Sequence, residues 1–248
     1  MQELPASASG HSAVEVARLC AREAGRIIMA HFGRHEQMVA KGRGNFVTEA
    51  DLAAERGVLD LLEELRRDRP FYEASGGGVT FSGGEPVLHA AFLRELLPHL
   101  ASEGLHVAIE TSGQYPWSLL EGILPWIDLV LFDLKLMDPV RHRALTEHDN
   151  VRIHENLRRV LASGVPVEVR MPVVPGRNTD EDNVSATARF LAQLGVPSLT
   201  LLPYNPLWEA KLPRLGTGRK ALGIAAPGEA FYTDLRQRFE RAGVATRL

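Results

Sequence analysis

Five short polar strings in this chain carry residue types that can hold a small charged molecule, and each closes an apolar run. They are Ser82-Gly83-Gly84-Glu85-Pro86, Glu110-Thr111-Ser112-Gly113, Asp133-Leu134-Lys135, the run opening at Arg170, and Leu202-Pro203-Tyr204-Asn205. In the first, paired glycines let a ligand approach the backbone closely. Glu85 adds a carboxylate that suits an ammonium group. A tight strand-to-helix turn with a surface glutamate is the plainer reading of the same five residues. Asp133 and Lys135 stand at alternate positions and so share one face of a strand; a strand-end ion pair explains them equally well. Arg170 offers a planar fork that matches a carboxylate.

The elements that must position these groups follow from periodicity. Short apolar runs predict strands over 78–82, 106–111, 128–134, 167–174 and 198–203. Helical spacing predicts helices over 87–102, 116–124, 139–145, 150–163, 180–194 and 228–242. Such alternation argues for βα units and a parallel sheet, where functional groups gather at the carboxyl ends of strands. The five polar strings fall at those ends.

Upstream, the pattern differs. Residues 12–32 place Val14, Ala17, Ala21, Ala24 and Ile28 at helical spacing, with Ser12 and Glu15 as a capping box and Gly33 as the stop. Residues 35–47, interrupted by glycine, predict a turn or short hairpin. Thr48 caps a second helix, 49–67, with Asp51 in its first turn, where the helix dipole favours a carboxylate. Pro70 is expected to end that helix. The chain thus divides into a helical segment, 1–70, and an α/β region, 71–248.

Composition narrows the function. A formal net charge of −3 over 248 residues gives no electrostatic footprint for nucleic acid. No apolar run approaches the roughly 20 residues that span a bilayer, and the first residues lack the basic and apolar regions of a signal peptide. The single cysteine, Cys20, excludes an intrachain disulfide and fits a cytoplasmic protein. On an amphipathic helix it reads as a small buried hydrophobe.

Longer strings carry a resemblance. SGGGVTFSGGEP, IETSG (109–113), DLVLFDLKLMDPVRH (128–142), NVRIHENLRRVLASG (150–164), VEVRMPVVPGRN (167–178) and LLPYNPLWEAKLPRLG (201–216) occur in one order. Together they resemble the radical S-adenosylmethionine activating enzymes of glycyl radical enzymes, such as the pyruvate formate-lyase activating type, over residues 72–245. The resemblance implies a partial (β/α) barrel, here without its first strand. It implies S-adenosylmethionine and a [4Fe–4S] cluster as cofactors and a glycyl radical enzyme as partner. Gly83, Gly84 and Glu85 resemble the loop that holds the ligand's amino group. Asp133 and Lys135 resemble a pair near the ligand, and Thr111, Arg170 and Asn205 further ligand-binding positions. Glu110 and Asp133 resemble a monovalent cation site.

The family's cluster is held by three cysteines spaced CxxxCxxC, upstream of GGGVTFSGGEP. Cys20 alone cannot supply that set, so radical generation is expected to be impaired, and a non-catalytic S-adenosylmethionine- or partner-binding module is the alternative. Residues 12–66, above all Lys41 followed by Val47-Thr48-Glu49-Ala50-Asp51, resemble the N-terminus of the inositol monophosphatases, which implies a fusion and, as a third reading, a Mg²⁺-dependent phosphatase fragment. A barrel without its first strand is also expected to expose a sheet edge through which two copies could pair.

Overall fold

The computed structural model describes residues 38–40, 46–48, 62–63, 65–211 and 221–248. The helix expected over 12–32, with Cys20, lies outside these residues, as does most of the second helix with Asp51. Residues 62–63 and 65–67 are helical, as expected for the end of the second helix. The chain divides into two compact units, residues 1–108 with 119–127, and residues 109–118 with 128–248.

In the first unit, β1 (Met38–Ala40) and β2 (Phe46–Thr48) form an antiparallel two-stranded sheet in which Met38 faces Thr48. This is the expected hairpin, and it is a separate sheet from the one described below. After the second helix comes a helix that the periodicity did not predict, α1 (Arg69–Ser75), closed by Gly76 at φ 64°. Pro70 lies in its first turn. Proline is preorganised there, because that turn's N–H groups lack helical partners, so Pro70 opens this helix, while the preceding one stops after Arg67, ahead of Pro70. Then β3 (Gly78–Phe81) leads through a 3-10 turn, Pro86–His89, into α2 (Ala90–Ser102). This helix buries Ala90, Leu93, Leu96, Leu97 and Leu100, one stripe at intervals of three and four. The next strand is β4 (His106–Thr111), followed by a short helix, α3 (Trp117–Glu121). A Cβ on Gly78 would strike the His106 backbone carbonyl, so β3 passes where only glycine fits.

The second unit takes up the end of β4 and continues with β5 (Leu129–Asp133), α4 (Pro139–Thr146), α5 (Val151–Ala162), β6 (Val167–Pro172), α6 (Glu181–Gln193), β7 (Ser198–Leu202), α7 (Glu229–Arg241) and β8 (Ala245–Arg247). Strands β3 to β8 follow one another in sheet order, an α/β fold, and the β5–β6, β6–β7 and β7–β8 pairs are parallel. The five expected strands are present. The sixth, β8, was not expected: its three residues include two polar ones, too few for a period to show.

The sheet's two faces differ. Val130, Phe132, Val169, Met171, Leu199 and Leu201 are fully or almost fully buried. Their neighbours Leu131, Asp133, Glu168, Ser198 and Thr200 are half-buried. Parallel sheets are usually covered on both faces, so the half-covered face is where a ligand has room. Register places Asp133 beside Arg170, Arg170 beside Thr200 and Thr200 beside Arg247, a polar row across four strands.

On α5, the His154 ring lies 4.6 Å from that of Phe190. Its buried Nε2 has no hydrogen-bond partner. Burial, then the neighbouring charges of Arg158 and His142, hold its pKa down to about 4. The unfolded chain therefore takes up this proton first as pH falls through the ordinary histidine value of 6.5. The stability that His154 contributes is present above that pH and is lost progressively towards pH 4. Because the ring is partly accessible, His154→Phe is expected to remove about 1–2 kcal/mol of the stability difference between pH 7 and pH 5. Urea unfolding at the two pH values measures this. Equal pH dependence in both proteins would refute it.

Candidate binding site at the strand ends

The half-covered face carries its charge at the carboxyl ends of the strands, because β4, β5 and β6 each bring one ionisable residue there. Arg170 on β6 is 8% exposed. Its Nε donates to Asp133 Oδ1 at 3.1 Å, and its Nη2 donates to the same oxygen at 2.9 Å. Nη2 also lies 2.8 Å from Glu110 Oε1. One buried guanidinium thus joins carboxylates from two other strands. Burial pushes the Asp133 carboxyl above its ordinary range, while Arg170 and then Lys135 oppose that rise. Burial alone would lower the Arg170 pKa, but the Asp133 and Glu110 charges outweigh it and keep the guanidinium protonated.

Thr111 and Asn205 are held by local bonds. Thr111 is buried, and its Oγ1 accepts from the Gly113 N–H at 3.0 Å. Lys135 lies two residues beyond β5, in the loop to α4, rather than on the strand as expected; it remains half-buried. Asn205 is exposed after β7, where its Oδ1 accepts from the Leu207 N–H at 3.0 Å. The second unit therefore brings Glu110, Asp133 and Arg170 into direct contact.

In the first unit, Gly83 and Gly84 follow β3 as exposed residues, Gly83 at φ 122°, and a Cβ on either would meet nothing within 4 Å. Their backbone is open to a ligand. Glu85 is half-buried and caps the 3-10 turn by its position, with no hydrogen bond from its side chain to the turn.

Residues 44–190 match the family described as the Radical SAM superfamily, more than half of the chain. The chain belongs to the radical SAM superfamily. The match begins at residue 44, ahead of the GGGVTFSGGEP string. Among similar proteins, the (2S)-3-sulfopropanediol dehydratase activating enzyme of Klebsiella oxytoca is 37% identical over 182 residues, 72% of this chain and 57% of that protein. The pyruvate formate-lyase 2-activating enzyme of Escherichia coli K12 is 37% identical over 187 residues, 75% of this chain and 64% of that protein. The chain thus spans less than two thirds of either relative's length. A domain of the pyruvate-formate lyase-activating enzyme from Bacteroides vulgatus is 31% identical and superposes with a TM-score of 0.57, over 69% of this chain and 98% of that domain.

A radical SAM cluster needs soft thiolate ligands. The described residues contain no cysteine, and among them no group of three His, Cys, Asp or Glu side chains is placed to hold a metal. They do not fit a [4Fe–4S] cluster. No described helix is long and apolar enough to cross a membrane.

Four asparagines that the sequence analysis passed over shape the radical SAM strand ends. Asn156 is 2% exposed, and its Nδ2 donates to the carbonyls of Gly113 and Tyr115 at 2.9 and 2.8 Å. Asn150 Nδ2 donates to the Leu136 and Met137 carbonyls, both at 2.8 Å. Asn178 Nδ2 reaches the Lys135 and Pro172 carbonyls, and its Oδ1 accepts from the Val174 N–H. Asn183 accepts from the Met137 N–H and donates to the Asn178 carbonyl. One amide carries two donors and an acceptor, so each closes several loop groups that burial would otherwise leave unsatisfied. The available signal was asparagine inside otherwise amphipathic strings, as in NVRIHENLRRV.

Proposed function

We propose that this chain binds S-adenosylmethionine at the carboxyl ends of its strands and belongs functionally with the activating enzymes that act on glycyl radical enzymes. The observation that carries this is the cluster of Glu110, Asp133 and Arg170 at the strand ends, in a chain that covers 98% of an activating-enzyme domain at 31% identity. In this reading Gly83, Gly84 and Glu85 of the first unit are ammonium-binding residues by resemblance. Within the second unit Thr111, Asp133, Lys135 and Asn205 are ligand-binding residues, and Arg170 holds the Glu110 and Asp133 carboxylates. The fit rests on chemistry: open glycine backbone and a carboxylate for an ammonium group, and the Lys135 ammonium for an anion.

When bound beside a [4Fe–4S] cluster, S-adenosylmethionine supplies a 5′-deoxyadenosyl radical. The 248 residues hold one cysteine, so we assign no radical step to this chain's own side chains. Its role on present residues is to bind the ligand and the partner. Residues 12–66 are, in the same reading, of inositol monophosphatase ancestry and form a domain, 1–70, ahead of the barrel region. The β3 edge of the sheet is where a second copy would pair.

The test is calorimetric titration of S-adenosylmethionine into anaerobically purified, iron-supplemented protein, with iron counted in the same sample. Saturable binding with less than one iron per chain is expected. No binding would overturn the reading. Binding with about four irons per chain would show a cluster held by ligands other than the described residues and would restore radical chemistry to this chain.

A further inference from the structure

The resemblance implies a monovalent cation between Glu110 and Asp133, and the geometry does not accommodate one as it stands. Both carboxylates are already engaged by a single cation. Arg170 Nη2 lies 2.8 Å from Glu110 Oε1 and 2.9 Å from Asp133 Oδ1, and Nε adds a second contact to Asp133 at 3.1 Å. The register fixes this arrangement, because Arg170 is the residue on β6 directly beside Asp133 on β5. Arg170 is almost fully buried, with its side chain 10% exposed. A guanidinium does not lose its proton in proteins and is fixed in a rigid plane. A metal cation bound to the same two oxygens would sit within a few ångströms of that permanent charge, in surroundings where like charges repel strongly.

We infer that the Arg170 guanidinium is the resident cation of this site, bridging Glu110 and Asp133 in place of a monovalent metal ion. Arg170 is then a positioning residue: it holds two strand-end carboxylates together without an exchangeable ion. This inference goes beyond the proposed ligand binding, and its test needs no S-adenosylmethionine. It can therefore fail while that proposal stands, and the reverse.

The test compares thermal melts in potassium chloride and in tetramethylammonium chloride at equal ionic strength. The bulky organic cation cannot enter a two-carboxylate site. Wild type is expected to melt at the same temperature in both salts. Arg170→Met removes the guanidinium, leaves two facing carboxylates and should create a cation site. Its Tm is expected to rise by about 5 °C in potassium over tetramethylammonium, while Arg170→Lys, which keeps a positive charge, should show no such rise. A potassium-dependent Tm in wild type would overturn the inference, and so would an Arg170→Met variant that folds yet ignores potassium. Should Arg170→Met fail to fold, thallium-205 NMR of wild type decides. A saturable bound thallium resonance would overturn the inference, and its absence would support it.

Discussion

Gly113→Ala is expected to lower the melting temperature by about 10 °C, corresponding to about 3–4 kcal/mol. Two effects add. Gly113 sits at φ 77°, a left-handed conformation that costs an alanine about 1–2 kcal/mol. A Cβ there would also drive into the tip of the Phe132 ring, striking Cζ and lying 3.2 Å from both Cε atoms. Phe132 is fully buried on β5, so its ring can yield only by disturbing the packing around it. The backbone is held in place as well, since Asn156 binds the Gly113 carbonyl and Thr111 Oγ1 accepts from its N–H. Gly176 makes a sharp control. It has φ 70°, but nothing lies within 4 Å of a Cβ there, so Gly176→Ala should cost only the backbone strain. Thermal melts of both variants measure the difference. Equal losses at the two sites would show that Phe132 yields.

Asp133→Ala is expected to destabilise the protein by about 3 kcal/mol, because it leaves a buried guanidinium with only a partly solvated partner. The Asp133 side chain is 13% exposed and that of Glu110 36% exposed. Glu110→Ala should therefore cost less, about 1 kcal/mol, since water can already reach that end of the pair. The losses should not add. Once Arg170 is gone, removing Asp133 relieves a repulsion with Glu110, so Arg170→Met/Asp133→Ala should be more stable than the sum of its single changes predicts. Urea unfolding of the four proteins in this cycle provides the measurement. An Asp133→Ala loss below about 0.5 kcal/mol, or strict additivity, would mean that the ion pair carries no structural weight.

The strands and helices of the second unit were legible because their apolar residues recur at the periods of two and of three to four. Val130 and Phe132 alternate with Leu131 and Asp133, and the structure buries the first pair and half-opens the second. What the sequence concealed was pairing between residues far apart in the chain. Nothing local to Arg170 says that its partners are Glu110 and Asp133 rather than a ligand; register and sheet order decide that. Lys135 was misplaced for a simpler reason. Leu134 and Leu136 flank it and prolong the apolar alternation, yet the strand ends at Asp133, where the chain turns towards α4. The N-cap of that helix, Asp138, accepts from the Arg141 N–H, a local bond with a readable signature. The four asparagines showed only as polar residues interrupting amphipathic strings, because their partners are loop backbone groups that any residue type can present.

Those asparagines have a consequence for exchange between relatives. Asn178, which follows β6, grips the β5 loop at Lys135, while Asn183 on α6 and Asn150 ahead of α5 grip it at Met137. A graft that replaces residues 134–138 alone would carry in a foreign backbone and leave three resident amides facing its N–H and carbonyl groups in new places. Stretches separated along the gene thus form one cassette in space. Recombination that moves the β5 loop together with 150, 178 and 183 respects its seams, and recombination that cuts between them does not.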